Sequence, residues 1–207
     1  MSYDPEDAAR DEFYDQISKE LYPEHKEQAI EEFTKEKLKS YYQQNPDLMR
    51  PAVDAIQEGN WQLKEGRYTP ALVFYVTAIE LLLKATLLRP VLYGLIHNEA
   101  LAEIMIKHIL GQTGIERYEN LLAQLFSNLA GIDIKQIKRE GVQTKLFVEC
   151  RELQTIRNNI IHRGASCQEA DAKKGNLVSV AIFEKVVRPM LFSIGLTVIE
   201  KGKIVEA

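Results

Sequence analysis

Residues able to handle a phosphodiester lie close together late in the chain: Arg157, Asn158 and His162. An unperturbed imidazole titrates at about 6.5, so His162 could take or give a proton at ordinary pH. A guanidinium is always ionised and presents a planar fork of donors to phosphate oxygens. Such a fixed cation is what a crowded, charge-gathering phosphorane needs. The Asn158 amide could hold either the phosphate or the imidazole. On a helix, Asn158 and His162 (i, i+4) fall almost one above the other, and the long Arg157 side chain reaches the same spot from one step aside. One histidine is too few for separate acid and base roles.

A helix must present these groups, and the sequence supplies one. Leu153, Ile156 and Ile160 recur at i, i+3, i+7 as a buried stripe, and Gly164 is placed to close the helix as its C-cap. The spacing predicts a helix over Lys145–Arg163, with His162 in its last turn. A connector from Gly131 to about Gly141 precedes it and carries Lys135, Lys138 and Arg139. Together with Lys145 and Arg163 these cations are candidates for holding flanking phosphates, against the plainer reading of a solvated connector. The remaining histidines lack metal-ligand company: His25 lies in a charged helix, and Glu103 stands five residues before His108, which is not an HExxH or ExxH spacing. No Walker, GxGxxG or GxSxG pattern occurs, so neither a metal nor a cofactor is expected.

Arg157-Asn158-x-x-x-His162 at the end of a late helix resembles the signature of the HEPN family, small helical-bundle proteins common in prokaryotic toxin and defence systems. A second segment, Arg67 to Ala85 with its Thr77-Ala78-Ile79-Glu80-Leu81-x-Leu83-Lys84 core, is similar to that family's long apolar helix. The two segments cover about a fifth of the chain, in the family's order. The resemblance implies metal-independent RNA cleavage by way of the substrate's own 2′-hydroxyl. It further implies a homodimer, whose two-fold interface supplies a second copy of the motif. Arg157, Asn158 and His162 would be catalytic, with Glu80 as an orienting partner for Arg157. Single-stranded or structured RNA is the implied substrate, and an antitoxin or regulatory protein a possible further partner. Toxins of this family that are silenced by AMPylation usually carry a tyrosine two residues after the histidine; Gly164 stands there instead, which argues against that modification. A non-catalytic module that dimerises and binds nucleotide, RNA or a protein is the alternative.

The rest of the chain reads as helices. Expected are Asp4–Tyr22, broken by Pro23; Glu24–Gln44, stopped by Asn45-Pro46; Asp47 to about Glu65; Arg67–Leu88, ended by Arg89-Pro90; a further helix or broken pair over Val91–Leu110, interrupted by Gly94; a turn over 111–114; and Ile115–Ala130. After the motif helix come a polar loop over 164–176 and a last helix over Leu177–Lys201 that Pro189 kinks. With no period-2 pattern in sight, the expected fold is all-α: an acidic helical N-terminal extension over 1–45 and a HEPN-like antiparallel bundle over 46–203.

An apolar fraction of 45% with 27% charged residues supports a core of ordinary size. The net charge of −4 argues against a broad nucleic-acid-binding surface. It is unevenly spread: residues 1–60 hold 15 acidic and 7 basic side chains, leaving the remainder at +4. The two cysteines have no paired spacing and suit a reducing cytoplasm. Glu80 and Lys84 inside the longest apolar run speak for a core helix rather than a membrane span.

Overall fold

The apolar run beginning at Tyr68 forms the axis of the molecule. The computed structural model describes residues 5–96, 98–110 and 115–207; the turn expected at 111–114, like His97, lies outside them. The fold is an all-α helical bundle with a small β-hairpin near the C-terminus.

Helix α1 spans Pro5–Gln44, α2 Arg50–Lys64 and α3 Tyr68–Glu80; a π-helical segment, Leu81–Leu88, then runs straight into α4, Arg89–Leu95. The helix end expected at Arg89-Pro90 is therefore not there. Pro90 has no N–H to offer the carbonyl four residues back. That carbonyl, on Thr86, instead accepts a 2.6 Å hydrogen bond from the buried Tyr42 hydroxyl of α1. The same device recurs where α8 (Glu169–Ile182) passes through a π segment, Phe183–Val187, into α9 (Arg188–Ser193), immediately before Arg188-Pro189. Wider π turns let a helix absorb a proline's missing donor without stopping. The two π segments pack on each other and bury Leu82, Leu83, Leu87, Val186 and Val187 in the core. By length and apolarity alone Tyr68–Gly94 could cross a membrane, and 61% of its most apolar window is buried inside the bundle.

Close approach on the other side of α3 depends on glycines. Tyr75 is fully buried between α2 and α8, where a Cβ on Gly59 would stand 2.7 Å from its ring and one on Gly175 3.3 Å from its Cβ. The Tyr75 hydroxyl donates to Asn60 Oδ1 at 2.8 Å, and Asn176 of α8 donates to the same oxygen at 2.6 Å. One polar knot thus ties three helices.

Three other expectations change. First, α1 is a single helix and Pro23 does not break it. An interior proline removes one backbone donor and bends a helix, which is less than ending it. The stop does come at Asn45-Pro46, and Leu38 and Tyr42 near the end of α1 are buried in the same core as α3. Second, α8 begins at Glu169, inside the supposed loop. Gln168 and Asp171 form a reciprocal capping box there, an unfamiliar spelling of a helix start because glutamine replaces the usual Ser or Thr. Third, the last helix ends at Ser193, and β1 (Leu196–Val198) pairs antiparallel with β2 (Ile204–Glu206). Gly195 and Gly202 take left-handed backbone on either side of a β-branched run, and Leu196 and Ile204 are buried. The hairpin docks where α1 hands over to α2: Ile204 N–H donates to the Pro46 carbonyl, and Gln43 and Lys39 both reach Glu206.

The remaining elements are α5 (Glu99–Leu110), α6 (Glu116–Ala130) and the motif helix α7 (Leu146–Arg163), with a short 3-10 turn at Ile134–Gln136.

Candidate functional site

The motif helix is held by its buried side. Leu146, Phe147, Cys150 and Leu153 are buried, and Ile156 and Ile160 pack on the same core at partial exposure. Gly164 ends the helix with φ 66°: its N–H returns to the Ile160 carbonyl, and that of Ala165 to Asn159. The chain then passes the start of α3, where Cys167 N–H donates to Thr69 Oγ1. These caps fix where the last turn stops and which way it faces.

On that last stretch Asn158, His162 and Arg163 are exposed and Arg157 is half-buried. Arg157 Nη1 donates to Asn158 Oδ1 at 3.2 Å, so those two side chains are together. Arg157 Nε is sealed from solvent with no acceptor. Among the described residues His162 makes no hydrogen bond or ion pair. The end of a helix carries partial negative charge, so anion attraction here must come from Arg157 and Arg163 rather than from the backbone.

Glu80 does not take the place expected for it. Its carboxylate accepts from Gln154 Nε2 at 3.0 Å, while Gln154 Oε1 accepts the N–H of Ile115 at 3.3 Å. Gln154 is the buried group that joins α3, α7 and the start of α6, because it lies one turn nearer to Glu80 than Arg157 does. No carboxylate lies within ion-pair distance of Arg157 among the described residues. This cation is retained without an internal counter-ion.

The connector cations divide. Arg139 is bound bidentately by Glu149 of α7 at 2.7 and 2.9 Å, with the carboxylate almost fully buried. That bonding holds the Arg139 guanidinium above its ordinary pKa. Arg139 is thus a bolt between connector and motif helix, occupied by the protein itself. Lys135 donates to Asn120 at 2.7 Å and Lys138 to Gln143 at 3.5 Å, while Lys145 is exposed beside the Lys138–Lys145 bridge that closes the connector. Lys174 of α8, absent from the sequence-derived set, pairs with Glu152 at 2.6 Å and approaches Glu149 at 3.9 Å. Glu149 and Gln154 carried a readable signal: both are polar residues beside the apolar stripe of α7.

Both cysteine thiols are buried. Burial pushes the Cys150 thiol far above its ordinary value, and burial likewise raises Cys167. Among the described residues no group of three His, Cys, Asp or Glu side chains could hold a metal ion. Comparison with protein families, with curated proteins and with solved structures finds no match to this chain.

Proposed function

We propose that this protein is a metal-independent endoribonuclease of HEPN type, acting as a cytoplasmic homodimer in a toxin or antiviral defence role. The observation that carries the reading is Arg157: a half-buried guanidinium that among the described residues has no carboxylate partner and bonds to Asn158, which lies one turn before an exposed imidazole. With Nε lacking an acceptor and no carboxylate paired to it among the described residues, the guanidinium keeps donors available for an incoming anion.

In the reaction the RNA 2′-hydroxyl attacks the adjacent phosphorus and loses its proton to one His162 imidazole. The P–O5′ bond breaks, and the leaving 5′-oxygen takes a proton from the His162 of the second copy. The products are a 2′,3′-cyclic phosphate and a 5′-hydroxyl. Arg157 forks onto the non-bridging oxygens as charge grows on them, with Asn158 keeping the fork in line. The exposed Lys145 and Arg163 would hold flanking phosphates, with Lys135 and Lys138 at the margin; Arg139 supports α7.

The test is cleavage of a mixed pool of single-stranded RNA and tRNA in EDTA by wild type, Arg157→Ala and His162→Ala. Cleavage by wild type, with each variant at least about a hundredfold slower, is the expected outcome. Equal cleavage by all would overturn the site. The Arg157–Asn158 bond also suits a module that binds nucleotide, RNA or protein without cutting. For that reading, RNA retention by wild type without cleavage, lost in Arg157→Ala, would be the signature.

A further inference from the structure

We propose that the N-terminal end of α1 docks into an apolar groove on a second copy of this chain. The groove, about 400 Å³, lies between α2, α8 and the hairpin and is lined by Met49, Val53, Ile56, Val180, Phe183 and Ile199. Val180 and Ile199 are 43% and 51% exposed, an unusual outlay of aliphatic surface at one place. At the far end of α1, Phe13 and Tyr14 are 60% and 62% exposed and meet edge to face, their ring centroids 6.2 Å apart. An apolar slot and an aromatic knob thus stand exposed on the same molecule.

They cannot meet within one copy. Lys39 and Gln43 anchor the foot of α1 to Glu206 of the hairpin, so the groove sits near that foot. Phe13 lies roughly 39 Å further along a continuous helix, at 1.5 Å per residue. A proline bend at Pro23 is far short of the reversal needed to bring it back.

Charge selects the occupant. Residues 1–36 hold 12 acidic and 4 basic side chains, a net of −8, whereas residues 37–207 hold 18 and 22, a net of +4. Two such arms repel each other, and an arm is drawn to the body of another copy. Lys201 and Lys203, both exposed, flank Gly202, which lines the groove together with Glu200. Reciprocal exchange of arms gives a closed two-fold dimer.

The inference stands apart from the ribonuclease reading, and its test reads no activity. Full-length Gln16→Cys, one turn from Phe13, and full-length Lys203→Cys are given tags of different size, mixed, and mildly oxidised. The expected result is a cross-linked heterodimer in the mixture and none in either variant alone, with formation suppressed at high salt. In the same chain without added cysteines, Phe13→Glu/Tyr14→Glu and Val180→Glu each raise the dimer dissociation constant by about tenfold or more in sedimentation. Self-cross-linking of Gln16→Cys would place arm on arm and overturn the proposal. So would a wild type that sediments as a monomer, or a dimer that neither set of charge substitutions weakens.

Discussion

Arg157 and His162 differ in what their loss should do. His162 is exposed and makes no hydrogen bond or ion pair among the described residues, so His162→Ala is expected to change unfolding free energy by no more than about 0.5 kcal/mol while removing proton transfer. A denaturant titration alongside the cleavage assay checks this, and a large stability loss would mark the imidazole as a structural group. Arg157→Lys keeps the charge and loses the fork, so activity should fall nearly as far as in Arg157→Ala. Cys150 offers a pH prediction. Its thiol is held far above the ordinary value of 9.0 by burial in the folded chain. A raised folded value means full stability below pH 9, declining as pH climbs past it, because the unfolded thiol ionises first. One such group contributes about 1.4 kcal/mol per pH unit in that range. Urea unfolding from pH 8 to 10.5 should therefore show a shallower decline for Cys150→Ala than for wild type. The helix that carries the motif was readable from its apolar stripe and its closing glycine. The role of Glu80 was not: which polar group it meets depends on the rotation of α3 against α7, which no local spacing encodes.

Elements rather than single residues explain how the motif end is kept in place. The Arg139–Glu149 pair fastens the connector to α7, and removing one member strands a buried charge. Arg139→Ala is expected to cost about 3 kcal/mol, read as a lower urea midpoint. Gly59→Ala brings a methyl to 2.7 Å from the Tyr75 ring and should cost about 1–3 kcal/mol by thermal unfolding, through overpacking at the α2–α3–α8 knot. The helix end read from Gly164 was legible and takes left-handed backbone, as Gly66 and Gly131 do after α2 and α6. Ends read from proline were wrong at Pro23 and Pro90, and a π segment, Phe183–Val187, precedes Pro189. A proline's cost is a missing donor, and whether the chain stops depends on what else satisfies the freed carbonyl. At Pro90 that is Tyr42, from a different helix. The hairpin escaped a reading based on alternation because its strands, Leu196–Val198 and Ile204–Glu206, are too short to show a period.

For the whole molecule, a main apolar core, a small second cluster around Tyr75 and an uneven charge distribution set the plan. The all-α class followed from periodicity over most of the length, since helical spacing survives wherever an amphipathic segment is long. The end of α1 belongs to the bundle through Leu38 and Tyr42, while Gln28–Phe33 is exposed throughout. Sequence composition exposed the acidic bias of this helix, though its reach beyond the body needed the structure. Deleting residues 1–30 is expected to leave the body folded, with a melting temperature within a few degrees of wild type, because among the described residues the buried side chains of α1 are Leu38 and Tyr42. A large drop would mean the acidic segment is part of the fold.

The RNA bond cut most readily in the pool supplies the sharpest measurement. Single-turnover cleavage of that RNA is compared with cleavage of the same strand carrying one 2′-deoxy sugar at the 5′ side of the scissile phosphate. The account requires a 2′,3′-cyclic phosphate on the first and no cleavage of the second. Equal cutting of both strands would contradict it, because Arg157 and His162 would then be acting on something other than attack by the 2′-hydroxyl.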